Sequence, residues 1–85
     1  MKQFQYTVQN PLGLHAQNVS KIIDSVKNLN CNITFEKDNH VVNIKEMFSL
    51  LSLFVVKGDC LNIKIDGPDE EKAYEILRKV ISREV

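Results

Sequence analysis

The hydrophobic repeat of this chain switches between two residues and three to four, several times within 85 residues. Over residues 2–8, Phe4, Tyr6 and Val8 alternate with Gln3, Gln5 and Thr7, the pattern of a strand buried on one side. Asn10-Pro11-Leu12-Gly13 breaks it. From Ala16 the period lengthens. Val19, Ile22, Ile23 and Val26 fall at helical spacing, with Lys21, Asp24, Ser25 and Lys27 on the other faces, and the helix is predicted to end near Asn28-Leu29-Asn30. Alternation returns at 32–37, with Ile33 and Phe35 inward. Lys37-Asp38-Asn39 reads as a tight turn into a third strand, about His40 to Asn43.

The apolar run at 46–53 fits either a strand or a helix. Its Met, Leu and Ser residues favour a short helix. After the turn at Lys57-Gly58-Asp59, Leu61, Ile63 and Ile65 alternate with Asn62, Lys64 and Asp66 as a fourth strand. Gly67-Pro68-Asp69 ends it, with Asp69 expected as the N-cap of a last helix striped by Ala73, Ile76, Leu77, Val80 and Ile81. The order is β-α-β-β-α-β-α. Strands that keep alternating polar residues cannot bury both faces, so one face should carry the helices and the other should meet water. No repeat or linker divides the chain, which reads as one domain over 1–85.

Charge and cysteine usage narrow the function. Lysine plus arginine equals aspartate plus glutamate at 11 each, so the net charge is zero. Broad nucleic-acid binding, which needs a basic surface, is not expected. Cys31 and Cys60 form no CxxC and no Cys/His cluster, so no zinc site is expected. Two reduced, buried thiols are the expectation, with one disulfide as the alternative. The N-terminal residues have no continuous apolar core, and Leu50 to Val56, interrupted by Ser52, is too short to span a bilayer. These features predict a cytoplasmic protein without membrane insertion, metal or cofactor.

The chemistry concentrates at Gly13-Leu14-His15-Ala16. A histidine stands where a glycine-containing loop becomes the first turn of a helix, where backbone N–H groups and the helix dipole favour an anion. Histidine can also act as a nucleophile. A phosphoryl group on its ring would carry close to two negative charges, which the first-turn N–H groups could hold. His40, in the hairpin, lacks such a setting and reads as a surface residue.

The segment Asn10-Pro11-Leu12-Gly13-Leu14-His15-Ala16 resembles the active-site signature of the HPr family, the histidine-containing phosphocarriers of the bacterial phosphotransferase system. Val42-Asn43-Ile44-Lys45, Leu50 to Leu53, Lys57-Gly58 and Gly67-Pro68-Asp69-Glu70-Glu71 extend the likeness over the whole chain. The resemblance implies an α+β open-faced sandwich, a four-stranded antiparallel sheet with three helices on one face. It implies that phosphorylated Enzyme I charges Nδ1 of His15, that Ala16, Gln17 and Asn18 hold the phosphate, and that the group passes to IIA proteins. Such a chain is a relay rather than a stand-alone catalyst. Monomer is the default state.

Several positions depart from the family. Gln17 and Asn18 replace the usual arginine and proline, so the positive charge beside the phosphate is lost. Glu46 occupies a position that is a regulatory serine in many Gram-positive members. It is either a built-in acid resembling phosphoserine or a simple helix-start acid. Met47, Phe48 and Leu51 match the family's docking patch, whereas Leu50 and Leu53 should face the core. Phe54 stands where glycine is common, and would enlarge the patch or repack the loop. Basic residues near the site reduce to Lys21, Lys27 and Lys45. Two readings follow: a working phosphocarrier, or an HPr-like regulatory docking module with weak or no transfer.

Overall fold

Alternating apolar residues on four segments give the sheet its single buried face. The computed structural model describes residues 1–85. It contains β1 (Lys2–Thr7), α1 (Ala16–Val26), β2 (Asn32–Lys37), β3 (His40–Asn43), α2 (Met47–Leu51), β4 (Cys60–Asp66) and α3 (Glu70–Glu84). The strands are antiparallel in the order β1-β4-β2-β3, so β4 is inserted between β1 and β2. One row across the sheet reads Phe4, Ile63, Phe35, Val42 and faces the helices. The next reads Gln5, Asn62, Glu36, Val41 and lies on the open face. Val19 and Ile22 of α1, Leu50 of α2, and Ala73, Leu77 and Ile81 of α3 are fully buried in one core with Ile63 and Phe35. Each large apolar side chain so buried stabilises the fold by about 1.5–3 kcal/mol. The predicted element order and open-faced α+β architecture are therefore present.

The connections show why the elements stop where they do. Asp38 and Asn39 both have positive φ, 51° and 68°, the signature of a type I′ hairpin turn, which short polar side chains tolerate. α1 ends at Val26, slightly before the expected stop, and the Leu29 N–H closes a turn on the Val26 carbonyl. Asp69 occupies the N-cap position of α3 without capping it: its carboxylate accepts from the Asn30 N–H at 2.7 Å, tying the start of α3 to the α1–β2 loop. Gly67 lies against the same loop, where an added Cβ would stand 2.7 Å from the Cys31 Cα.

The expectation of two buried thiols is half right. Both are unbonded to each other, but only Cys31 is buried and Cys60 is exposed. Cys60 shares its parity with Asn62 and Lys64, so the pleat turns it to the open face. Burial pushes the Cys31 thiol up from its ordinary value, with the nearby Asp69 charge adding to the effect.

Among the ion pairs that tie distant elements, two lie close to loops or helix ends. Lys37 Nζ lies 2.8 Å from Asp59 Oδ2, joining β2 to the loop before β4. Lys21 Nζ lies 3.4 Å from Glu84 Oε1, joining α1 to α3. A hydrogen bond from Lys37, and then one from the Val56 N–H, hold the Asp59 carboxyl below its ordinary 3.8. Arg83, and then Lys21, hold Glu84 below its ordinary 4.5. The folded state therefore binds fewer protons than the unfolded chain. The resulting stability is present above those ordinary values and is lost as pH falls through the lowered ones. Urea midpoints measured from about pH 6 to about pH 3 should decline in this window, and the decline should be shallower in Asp59→Asn.

Candidate functional site

The loop before α1 is built from main-chain hydrogen bonds to remote segments. The N–H groups of Gln9 and Asn10 both donate to the Val85 carbonyl, at 2.9 and 2.6 Å. The Asn10 side chain accepts from the Leu12 N–H and donates to the Glu84 carbonyl. Gly13 then turns the chain at φ 64°, and a Cβ there would fall 2.0 Å from the Val55 carbonyl oxygen. Only glycine permits both the left-handed backbone and that close approach. The Leu14 N–H donates to the same Val55 oxygen at 3.2 Å, and the Leu14 side chain is buried.

His15 is the N-cap of α1, with an extended backbone at φ −141° and ψ 172°. Its carbonyl accepts the first helical bond, from the Val19 N–H. Its own N–H donates to Asn18 Oδ1 at 2.9 Å, one half of a capping box. The imidazole is half-exposed, and Ala16 and Gln17 are exposed. The N–H groups of Ala16, Gln17 and Asn18 donate to no backbone carbonyl, as expected of a first turn. Helix-dipole polarity and these donors make the turn favourable to an anion.

Asn18 has a structural task that spacing did not reveal. It is 2% exposed, and its amide nitrogen donates to the Gly13 carbonyl at 2.9 Å and to the Glu84 carbonyl at 3.3 Å. Its side chain is thus fully engaged, and its main-chain N–H faces the His15 side chain across the capping box. Proline at this position would remove the three side-chain bonds; asparagine supplies them. The surrounding charge is also more committed than the sequence suggests. Lys21 and Arg83 both engage Glu84, and Lys27 stands 3.9 Å from Asp24.

α2 brings the apolar candidates alongside. Met47 lines a shallow groove with Ala16, Gln17, Ser20 and Lys21. Met47 and Leu51 are half-buried against the core, while Phe48 is 85% exposed. Leu50 and Leu53 are buried, as expected. Phe54 follows with φ 51° and 79% exposure, so it adds to the exposed apolar surface and lies outside the core. Glu46 is exposed at the N-cap of α2 and accepts from the Ser49 hydroxyl at 3.2 Å, making no bond to the helix N–H groups. His40 is exposed on β3, in a cleft with Lys37, Asp38 and Phe54. The sequence reading gave Asn10 no bond to α3 and did not find the Lys37 contacts; these cross 16 to 74 residues and leave no local pattern.

An open-faced sandwich with a half-exposed histidine at the start of its first helix is the architecture of a small histidine phosphocarrier. Residues 2–83 match the family described as the PTS HPr component phosphorylation site. The chain belongs to the HPr family. It is 30% identical over 80 residues to a phosphocarrier protein HPr of Xylella fastidiosa, covering 94% of this chain and 90% of that one. Against the Mycoplasma pneumoniae HPr it is 31% identical over 84 residues, covering 98% and 96%. Among solved structures, an HPr of Thermoanaerobacter tengcongensis superposes with a TM-score of 0.92 at 31% identity, covering 99% and 94%. A catabolite repression protein of Bacillus subtilis, described as a swapped dimer, superposes at 0.78 with 29% identity, covering 100% and 98%. A phosphocarrier role in the phosphotransferase system accompanies family membership.

Asn18→Ala should cost about 2–3 kcal/mol in urea unfolding, because it removes three hydrogen bonds and orphans the Gly13 carbonyl. Ala16→Gly, which leaves those bonds in place, should cost only about 1 kcal/mol in the same measurement.

Proposed function

We propose that His15 accepts a phosphoryl group from phosphorylated Enzyme I and passes it to IIA proteins of a sugar phosphotransferase system. The observation that carries this reading is the half-exposed His15 imidazole beside three first-turn N–H groups without backbone acceptors. The neutral ring attacks phosphorus through the lone pair of Nδ1. The nitrogen–phosphorus bond of the donor phosphohistidine breaks as the new one forms; the donor ring leaves with the electron pair and takes up a proton from solvent, while the phosphorylated His15 ring gives up its Nε2 proton. The N–H groups of Ala16, Gln17 and Asn18 then face the dianionic phosphoryl group, with Gln17 as a neutral side-chain donor. The reverse step delivers the group to the next protein. Exposed Phe48, with half-buried Met47 and Leu51, forms the docking surface, and Glu46 adds a carboxylate next to it in the chain. The protein acts as a cytoplasmic monomer in this scheme, with no cofactor and no nucleic acid.

Gln17 makes the site slower than an arginine would. Hydrogen bonds to phosphate from a charged donor exceed those from a neutral one by about 1–2 kcal/mol, or roughly five- to thirtyfold in rate. Gln17→Arg should raise the phosphorylation rate by about that factor in a stopped assay with Enzyme I; an unchanged rate would remove the electrostatic role.

The decisive experiment is incubation with phosphoenolpyruvate, magnesium and Enzyme I from the same source, followed by intact mass. An acid-labile gain of one phosphoryl group, absent in His15→Ala, is the expected result. No gain, while a conventional HPr in the same tube is phosphorylated, would overturn the relay and leave a docking module.

A further inference from the structure

Lys37 and Asp59 grip the two peptide units next to the loop that carries His15. Lys37 Nζ donates to the Phe54 carbonyl at 2.7 Å and lies 3.4 Å from the Leu53 carbonyl. Asp59 Oδ2 accepts from the Val56 N–H at 2.8 Å and from Lys37 at 2.8 Å. The Val56 N–H and the Val55 carbonyl belong to one planar peptide unit. Asp59 therefore fixes the orientation of the carbonyl that accepts from the Leu14 N–H. Lys37 fixes the neighbouring unit, whose carbonyl belongs to Phe54. That residue holds the left-handed conformation, at φ 51°, without being glycine, a conformation that costs an L-residue roughly 1–2 kcal/mol and persists only where its surroundings enforce it. The backbone of Gly13 rests against the Val55 oxygen so closely that a rotation of this peptide unit would be passed directly to the residues before His15.

We propose that the Lys37–Asp59 ion pair is a positioning clasp, setting the His15 loop through the Val55–Val56 peptide unit. Lys37 and Asp59 are positioning residues, and the pair deepens the reading of His15 as phosphoryl acceptor on which its functional meaning rests. The clasp makes the loop geometry depend on one side chain at the end of β2. Losing it frees the 53–56 segment to relax toward backbone conformations that a phenylalanine prefers, and Leu14 loses a fixed acceptor.

The test separates local from global loosening. Lys37→Met and Asp59→Asn are compared with the wild-type protein by amide hydrogen exchange, by the His15 ring resonances, and by the phosphorylation rate. In both variants the Leu14 amide should exchange about tenfold faster, well beyond the smaller acceleration that the lost global stability of the pair gives core amides such as Ile63. The His15 ring resonances should shift, and phosphorylation should slow several-fold. Lys37→Arg, which keeps the charge and donors, should restore the wild-type values, and the double variant should be no worse than either single one. Leu14 exchange and His15 resonances unchanged in Asp59→Asn would overturn the clasp. So would an equal acceleration at Leu14 and Ile63, which marks general destabilisation. Asp59→Asn is isosteric, so it decides the matter if Lys37→Met does not fold. Failure of the wild-type protein to accept phosphate would instead overturn the His15 reading, and the exchange data would still judge the clasp.

Discussion

Only one face of this sheet is apolar, and every helix must therefore lie on that face. The constraint governs the rest of the fold. β4 inserts between β1 and β2, so the connection through α1 crosses the surface on which α3 also lies, and the short α2 closes the space beside β3. Chain ends and loops then meet at the same place. The loop before α1, the loop after α2 and the last turn of α3 all contribute hydrogen bonds around Gly13 and His15. The site is a by-product of the layering: a helix start whose surroundings are main-chain carbonyls rather than charged side chains.

That composition explains the electrostatic character of the site. Glycine at 13 and asparagine at 10 and 18 are spent on holding the loop against Val55, Glu84 and Val85. Of the cations expected near the site, Lys21 is matched with Glu84 and Lys27 stands beside Asp24, which leaves Lys45 without an ion pair. What remains open is polar main chain at the first turn of α1 and apolar side chains at Leu12, Phe48, Phe54 and Val56. Exposed apolar surface of this kind suits contact with another protein more than capture of a small charged molecule from water.

The sequence was legible where a rule is local. Residue parity placed Phe4, Phe35 and Ile63 on one face, and helical spacing placed Val19, Ile22, Leu77 and Ile81. The same parity, applied to Cys60, would have put it on the open face with Asn62. The Gly13-Leu14-His15 junction was visible because glycine and a helix start mark themselves. Strand order was not legible, since nothing in a strand names its neighbour. Asp69 looked like a cap because capping is usually local, yet its carboxylate went to Asn30. The role of Asn18 was hidden for the same reason: two of its partners, Gly13 and Glu84, are main-chain carbonyls, and any residue presents one.

The bonds from Asn10 and Asn18 to Glu84 span 74 and 66 residues. A ribosome makes the His15 loop early and those acceptors long afterward. During synthesis the loop has its histidine but only part of its scaffold: Asn10 and Asn18 can reach Leu12, Gly13 and His15, whereas the Glu84 and Val85 carbonyls are missing until α3 has emerged. Completion of the site is thus timed by the chain itself, since the last acceptors of the His15 loop arrive with its last helix.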